Sequence, residues 1–191
     1  MEKTAIGLLG KQGAGKGTFV ELLSKQVLRQ KTFDHIRTGS GGIIDDFLEI
    51  AKWPLTRENK QEYAKRLRER MGDNFIAEVA GIKISDSRAD IVIFDAIRWQ
   101  WDERVLRRFK RNFMVFIDAD KEIRFHRLRA RARGEERDLT QEQFEKAELA
   151  STEIEIDDIS RRADFMIVNN GTIDSLLLDI KFFIKKSELD L

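Results

Sequence analysis

The residues with the most recognisable chemistry form one short segment near the amino end, from Gly10 to Thr18, with the sequence GKQGAGKGT. Its glycines let successive backbone N–H groups point into one concavity, because no Cβ stands in the way. An apolar run precedes the segment and an amphipathic one follows it, so a helix beginning here would add its unpaired N–H groups and the positive end of its dipole. Lys16 is long enough to reach the β- and γ-phosphates of a nucleotide, and the hydroxyl of Thr18 can bind Mg²⁺. We therefore predict a phosphate-binding loop whose nucleotide contacts come from Gln12, Gly13, Ala14, Gly15, Lys16, Gly17 and Thr18.

Asp95 ends the apolar run Ile91–Phe94, so we expect it at the carboxyl end of a buried strand. Ligands of open α/β sheets bind at that edge, which would place Asp95 beside the phosphate-binding loop. A carboxylate there can hold the hydration shell of Mg²⁺ or orient the attacking group, and Asp95 is, with Thr18, our predicted metal ligand. The alternative is a helix cap for the segment that begins near Ile97. Arg98, three residues after Asp95, has the fork geometry to clamp an acceptor phosphate.

An arginine-rich segment follows the fourth apolar run. Arg124, Arg127 and Arg131 recur at i, i+3 and i+7, so they share one face of a predicted helix. A polar loop and a further helix come next, and this helix–loop–helix, with a lid at about residues 131–141, would close over a bound nucleotide. Its guanidinium groups would neutralise the charge of the transferring phosphoryl group and exclude water. The alternative is a basic face in contact with solvent. Our candidates for catalysis at this point are Lys16, Asp95 and Arg131.

Composition limits the class of protein. The chain has 191 residues, which suits a single domain over residues 1–191, and its 36% of charged residues nearly cancel to a net charge of +1. That balance gives no global field for nucleic acid, and we expect no nucleic-acid partner. With no cysteine there is no disulfide framework and no cysteine-ligated zinc. No apolar run is long enough to span a bilayer and the first strand begins at once, so we expect a cytoplasmic protein without a membrane partner.

Five short apolar runs are separated by segments of helical length. Several of them are apolar at consecutive positions, which is typical of strands covered on both faces in a parallel sheet. Alternation of strand and helix then predicts a layered α/β fold. The predicted strands are Thr4–Leu9, Thr32–Arg37, Ile91–Asp95, Phe113–Asp118 and Phe165–Val168.

Between Gly39 and Ser87 the sequence indicates helices and no strand. The middle helix, from Thr56 to about Met71, is very polar and has only a narrow apolar stripe. This insertion, at about residues 39–87, would be a mobile acceptor-binding region. A solvated helical hairpin packed on the edge of the sheet is the equally weighted alternative.

In its motifs and their order along the sequence, the chain resembles the P-loop nucleoside monophosphate kinase-like family, and within it the adenylate kinase-related and dephospho-CoA kinase-like small kinases. The motifs that carry the resemblance are Gly10–Thr18 (a Walker A loop with an extra glycine before Thr18), Pro54–Asn59, Phe94–Arg98, Arg124–Arg131 and Ala163–Gly171. The resemblance implies a three-layer α/β/α P-loop kinase fold with a five-stranded parallel sheet in the order 2-3-1-4-5. It also implies transfer of the γ-phosphoryl group from ATP·Mg²⁺ to a small phosphorylated acceptor.

The resemblance assigns further roles. Arg127 would stack on adenine, Arg131 would contact phosphates, and Arg133 would be a further catalytic arginine of the lid. Asn170 and Gly171 would border the adenine pocket. The acceptor would lie near Thr38, Arg57 and Arg98.

Two departures from the family pattern leave the acceptor open. After Thr38 and Gly39 the chain lacks the acid and the arginine that adenylate kinases use for the acceptor nucleotide. Either Arg57 or another arginine of the polar helix, such as Arg66 or Arg70, would hold the acceptor, or the acceptor would not be AMP. The turn from Asp95 to Arg98 is also one residue shorter than in adenylate kinases. Three hypotheses follow: a kinase for nucleoside or deoxynucleoside monophosphates, a dephospho-CoA kinase-like enzyme, and a regulatory NTPase without a small acceptor. The sequence predicts no oligomeric state.

Overall fold

Five short strands rich in Ile, Val and Phe form the centre of the structure. The structure is a computed structural model that describes residues 3–27, 31–38, 42–131, 138–149 and 151–189, apart from the side chains of residues 57, 58, 96 and 151–154. All the strand pairs are parallel. The order across the sheet is β2-β3-β1-β4-β5, which confirms the predicted topology. The strands are β1 (Thr4–Leu9), β2 (Phe33–Arg37), β3 (Ile91–Ile97), β4 (Arg111–Asp118) and β5 (Phe165–Val168).

Helices connect these strands, because parallel neighbours need a crossover that covers a face of the sheet. The central strand β1 is buried at all six positions, as expected for a strand covered on both faces. The described helices are α1 (Lys16–Val27), α2 (Ile43–Ile50), α3 (Arg57–Met71), α4 (Phe75–Asp86), α5 (Gln100–Leu106), α6 (Lys121–Arg131), α7 (Gln141–Glu148), α8 (Ser151–Ser160) and α9 (Ile173–Lys186).

Two apolar clusters, one on each face of the sheet, hold the three layers together. On one face, helices α1 and α9 bring Phe19 and Phe183 into contact, with their ring centroids 5.9 Å apart. On the other face, α4, α5 and α8 contribute Ile84, Leu106 and Ile159, which are at most 1% exposed. Burial of these large side chains is the main stabilising contribution, at about 1.5–3 kcal/mol for each Leu, Ile or Phe.

Strand β3 extends two residues beyond the predicted end at Asp95. Leu8 of β1 pairs with Asp95 and Leu9 pairs with Ile97, so the register shifts at residue 96. The extra residue is a bulge, and bulges re-aim the side chains next to them. Asp95 thus lies beside a local irregularity at the carboxyl edge of the sheet rather than at the last position of a regular strand.

Helices α2, α3 and α4 lie between β2 and β3 and pack on one another through aromatic rings. The ring of Phe47 lies 6.2 Å from that of Phe75, and the ring of Trp53 lies 5.6 Å from that of Tyr63. The sequence before Pro54 predicts a helix from Ile43 to Trp53, but α2 ends at Ile50, because the chain leaves the helix in a turn before Pro54. Among the described residues, no helix is both long and apolar enough to cross a membrane.

Candidate active site

The glycine-rich loop connects β1 to α1 and takes backbone conformations that favour glycine. The φ angles of Gly13 and Gly15 are 83° and 104°, in the left-handed region. A Cβ at Gly13 would overlap the backbone of Arg124, and one at Gly15 would overlap the side chain of Asn169. The loop therefore passes against other parts of the protein at both glycines, and α1 begins directly after it with the free N–H groups of its first turn.

Gly17 differs from the other loop glycines. It lies in the first turn of α1, its φ is not positive, and a Cβ placed on it would meet no described atom within 4 Å. Thr18, the next residue, is exposed at the same helix end. Neither the backbone conformation nor neighbouring protein atoms require glycine at position 17, so the open space in front of this turn is available to a ligand.

Two polar side chains from distant parts of the chain hold the loop. Asn169, which follows β5 and is 7% exposed, donates from Nδ2 to the carbonyl oxygen of Ala14 at 2.8 Å. Arg124 of α6 donates from a guanidinium nitrogen to the carbonyl oxygen of Gln12 at 3.4 Å. The sequence did not assign these two residues to the loop, because the contacts span 155 and 112 positions along the chain.

Lys16 lies across the loop and close to Asp95. Its Nζ donates to the carbonyl oxygens of Gly10 at 2.5 Å and of Lys11 at 3.3 Å. Its positive charge also contributes to lowering the pKa of the Asp95 carboxyl group. The phosphate-binding lysine and the strand-end carboxylate predicted from sequence are therefore neighbours.

Asp95 is a largely buried carboxylate with two different oxygen atoms. Oδ2 lies 3.1 Å from Nε2 of His35, whereas Oδ1 is buried and has no hydrogen-bond partner within the described part of the chain. Burial alone would raise the pKa of Asp95, but the hydrogen bond from His35 and the positive charges of Lys16 and Arg37 outweigh it, and the net shift is downward. Asp95 is therefore ionised at neutral pH. Sequence reasoning gave His35 no role, since a lone histidine in a weakly apolar strand carries no motif.

The segment after β3 is fixed by a second buried carboxylate. Asp102 is 3% exposed and accepts hydrogen bonds from the backbone N–H groups of Arg98 at 2.9 Å and Trp99 at 3.0 Å. Burial raises the pKa of Asp102 to about 6, although these hydrogen bonds and nearby arginines oppose the shift. The guanidinium of Arg68, on α3, lies 4.3 Å from the centroid of the Trp99 ring. The side chain of Arg68 therefore reaches the segment that follows β3, which includes Arg98.

The other arginines considered for the acceptor lie differently. Arg66 pairs with Glu62 at 2.7 Å, and its guanidinium lies 5.3 Å from the centroid of the Trp53 ring. The side chain of Arg57 lies outside the described residues. The carbonyl oxygen of Thr38 accepts a hydrogen bond from the backbone N–H of Ile44, so Thr38 stabilises the entry into α2.

Helix α6 carries the arginines predicted for the lid. Arg127 is partly buried, one of its Nη atoms is buried without a hydrogen-bond partner among the described residues, and burial lowers its pKa. Arg131 is the last residue of α6 and is exposed. Arg133 and most of the predicted lid lie outside the described residues. Arg124, in contrast, is 4% exposed and binds both carboxylate oxygens of Glu148 on α7, at 2.8 and 2.6 Å.

The turn after β5 supplies the predicted adenine-side residues. Oδ1 of Asn170 accepts a hydrogen bond from the backbone N–H of Asp120 at 2.8 Å, which joins this turn to the start of α6. Gly171 lies against Ser175, in the first turn of α9. The turn is next to Asn169 and therefore adjoins the phosphate-binding loop.

A pattern that defines a family of AAA domains matches residues 6–150, from β1 to the end of α7. The chain belongs to this AAA domain family. The matched range contains the glycine-rich loop, Asp95 and the arginines of α6, whereas Asn169 and the turn after β5 lie beyond it.

Proteins named UPF0200 resemble this AAA domain protein over most of its length. It is 27% identical over 172 residues to the "UPF0200 protein" of Sulfurisphaera tokodaii, covering 88% of this chain and 89% of the relative. It is 29% identical over 187 residues to the "UPF0200 protein" of Methanothermobacter thermautotrophicus, covering 97% of this chain and 92% of the relative. The similarity thus extends over nearly the whole chain.

The AAA domain protein also shares its fold with a solved kinase. The crystal structure of shikimate kinase from Bacteroides thetaiotaomicron superimposes with a TM-score of 0.61 at 14% sequence identity, covering 95% of this chain and 98% of the other. At this identity the likeness establishes a P-loop kinase-like fold, and the activity has to be argued from the residues of this chain.

Proposed function

We propose that the protein is an ATP- and Mg²⁺-dependent phosphotransferase that transfers the γ-phosphoryl group to a small phosphorylated acceptor, a nucleoside or deoxynucleoside monophosphate. The observation that carries this proposal is the juxtaposition of an amide-lined loop, Lys16 and the ionised Asp95 at one edge of the sheet. Phosphoryl transfer needs little covalent chemistry from a protein, so positioning and electrostatic stabilisation account for most of the rate.

The donor nucleotide would occupy the loop. The N–H groups of the loop and of the first turn of α1 would bind the phosphate oxygens, and Lys16 would leave the carbonyl oxygens of Gly10 and Lys11 for the β- and γ-phosphates. Arg127 and the turn at Asn170 and Gly171 would border the base, as the resemblance implies. Arg131 and Arg133 would stabilise the charge of the transferring group.

The residues present also fit a magnesium ion. Oδ1 of Asp95 is buried without accepting a hydrogen bond from any described residue, and the hydroxyl-bearing Thr18 is exposed at the start of α1. The described residues contain no group of three or more His, Cys, Asp or Glu side chains that could hold a metal together, and Mg²⁺ in nucleotide sites is held by one or two protein ligands together with the phosphates. When bound, the ion would neutralise part of the phosphate charge.

The acceptor would lie between the end of β3 and the inserted helices. Arg98 follows β3, and Arg68 reaches the same place from α3 through its contact with Trp99. Two guanidinium groups at one strand end suit a phosphate, since each offers a planar fork of N–H donors. Thr38 and Arg57 remain predictions for the same side of the site.

A second candidate is transfer to an alcohol, as in dephospho-CoA kinase-like enzymes. The ionised, buried Asp95 favours it, because such a carboxylate can accept the proton of an attacking hydroxyl. The shikimate kinase with the same fold is named for an alcohol acceptor that carries a carboxylate, which two arginines would also bind.

An acceptor screen tests both candidates. ADP release from MgATP would be measured with AMP, CMP, UMP, their deoxy forms, dephospho-CoA and shikimate. Stimulation by a monophosphate supports the first candidate and stimulation by an alcohol alone supports the second. Slow hydrolysis that no acceptor stimulates would instead indicate a regulatory NTPase.

Removal of the loop lysine tests the site itself. Lys16→Ala should abolish transfer and leave the fold intact, whereas Lys25→Ala, which removes an exposed lysine paired with Glu21 on the same helix, should keep wild-type turnover. Unchanged turnover of Lys16→Ala would refute the assignment of the loop.

A further inference from the structure

His35 lies between an arginine and the site carboxylate at the edge of the sheet. Its Nδ1 is 3.3 Å from a guanidinium nitrogen of Arg37, and its Nε2 is 3.1 Å from Oδ2 of Asp95. The side chains of His35 and Asp95 are only 16% and 15% exposed. His35 and Arg37 are two residues apart on β2 and therefore point to the same face, and Arg37 pairs with Asp95 in the parallel register.

The contacts of the imidazole fix its tautomer. A guanidinium group can only donate hydrogen bonds, so Nδ1 of His35 must accept and carries no proton. The neutral imidazole then has its proton on Nε2, which donates to Oδ2 of Asp95. The result is a directed chain of hydrogen bonds, from Arg37 to His35 and from His35 to Asp95.

This chain makes the two oxygen atoms of Asp95 inequivalent. Oδ2 is occupied by His35, whereas the buried Oδ1 receives no hydrogen bond from the described residues. A carboxylate that is held at one oxygen cannot rotate freely, and partners of this kind orient the ligands and bases of active sites. Burial also favours the neutral form of Asp95, and His35 opposes that effect.

We propose that His35 is a positioning residue for phosphoryl transfer: it holds Asp95 through Oδ2, so that Oδ1 is the oxygen presented to the reacting groups, and Arg37 fixes the tautomer of His35 that can do so. This proposal rests on the proposed function, because it gives Asp95 its use. The residues that it involves are a His-x-Arg sequence on an edge strand and an Asp on the neighbouring strand. This pattern can be recognised only when the pairing of the two strands is known.

Two substitutions at one position separate positioning from packing. His35→Gln keeps an N–H donor at about the reach of Nε2, whereas His35→Leu keeps a side chain of moderate size and removes the donor. For His35→Leu we expect the kcat of phosphoryl transfer, or of MgATP hydrolysis, to fall about 10- to 100-fold, as for other residues that orient active-site ligands. The Kd for MgATP measured by calorimetry should change less than about threefold, since the loop amides bind the nucleotide.

The conservative variant and a control complete the kinetic test. His35→Gln should recover most of the lost kcat, and His126→Gln, at an exposed position of α6, should behave as the wild type. Arg37→Ala removes an exposed side chain and should fold whether or not His35→Leu does; we expect it to lower kcat severalfold. Wild-type kcat in both His35→Leu and Arg37→Ala would overturn the proposal, as would a kcat of His35→Gln no higher than that of His35→Leu.

The tautomer can be observed without any turnover. The chain has two histidines, so a long-range ¹H–¹⁵N correlation spectrum at neutral pH shows two imidazoles, with the exposed His126 as an internal reference. We expect His35 to be fixed as the Nε2–H form in the wild type and to lose that preference in Arg37→Ala. A His35 that is protonated on Nδ1, or that averages between tautomers, would refute the proposal. A wild-type protein that neither binds nor turns over MgATP would refute the proposed function instead, and that result is distinct from an active enzyme that is insensitive to His35→Leu.

Discussion

Replacing Gly17 by alanine should have opposite effects on the stability of the fold and on the affinity for the nucleotide. Gly17 lies in the first turn of α1 without a positive φ, and its Cβ would meet no described atom within 4 Å. An alanine there restricts the unfolded chain and favours the helix, which stabilises a protein by about 0.4–1 kcal/mol. For a chain of this size that corresponds to a rise in Tm of about 1–4 °C.

The same methyl group would stand where we place the phosphates. We therefore expect Gly17→Ala to weaken MgATP binding at least tenfold, a loss of about 1.4 kcal/mol, while Tm rises. Differential scanning calorimetry and titration calorimetry on the same preparation measure the two effects. A gain in stability paired with a loss of affinity is the signature of a glycine that is kept for the ligand.

Gly13→Ala and Gly15→Ala are the matched controls. Both positions have a positive φ and a Cβ there would overlap neighbouring atoms, so both variants should be less stable than the wild type as well as weaker in binding. If Gly17→Ala binds MgATP as tightly as the wild type, the phosphates do not approach this turn. If it is destabilised, the helix does not begin where the structure has it.

Two further predictions concern the segment after β3. Arg68→Ala should raise the KM for the acceptor about tenfold or more and leave the Kd for MgATP unchanged. Arg66, whose guanidinium pairs with Glu62, is the control, and Arg66→Ala should alter neither constant. Equal effects of the two variants would contradict an acceptor role for Arg68. The pKa of Asp102 is raised to about 6 in the folded protein, above its unfolded value, so the folded state binds the proton more tightly and stability falls by about 3 kcal/mol as pH rises from about 4 to about 6. Asp102→Asn keeps an acceptor for the two backbone N–H groups and removes this dependence of stability on pH. Urea unfolding at pH 4.5 and 7.5 should show that the free energy of unfolding of the variant, relative to that of the wild type, is higher at pH 7.5 than at pH 4.5. A difference between the two proteins that does not change with pH would refute the assigned cause.

Local sequence was sufficient for the loop and for most strands. The loop is continuous from Gly10 to Thr18, so its position between a strand and a helix can be predicted from the spacing of nine consecutive residues. Strands β1 and β5 occupy the predicted ranges Thr4–Leu9 and Phe165–Val168, because uninterrupted apolar runs bounded by polar residues leave few alternatives. The strand order, which the family resemblance implied rather than the local pattern, was confirmed as well.

Residues whose role depends on pairing between distant segments could not be found this way. His35 and Asp95 are 60 positions apart and meet only because the weakly apolar β2 pairs with β3. Helix α8 was also missed, since its buried apolar residues Ile156 and Ile159 make too short a stripe to identify a helix. The bulge at residue 96 likewise comes from the register of two strands and leaves no signal in either strand alone.

Arg124 of α6 links the phosphate-binding loop to α7. A buried guanidinium is costly unless its donors are paired, and those of Arg124 reach Glu148, the carbonyl oxygen of Ala119 and the carbonyl oxygen of Gln12. The first partner lies on α7 and the last lies in the phosphate-binding loop. Because Arg127 is carried by the same helix less than one turn further on, any shift of α6 that moves it toward a nucleotide must also act on the loop. The position of the loop and that of the α6 arginines are therefore coupled. The coupling passes through Arg124, to which we assign no contact with the reacting groups.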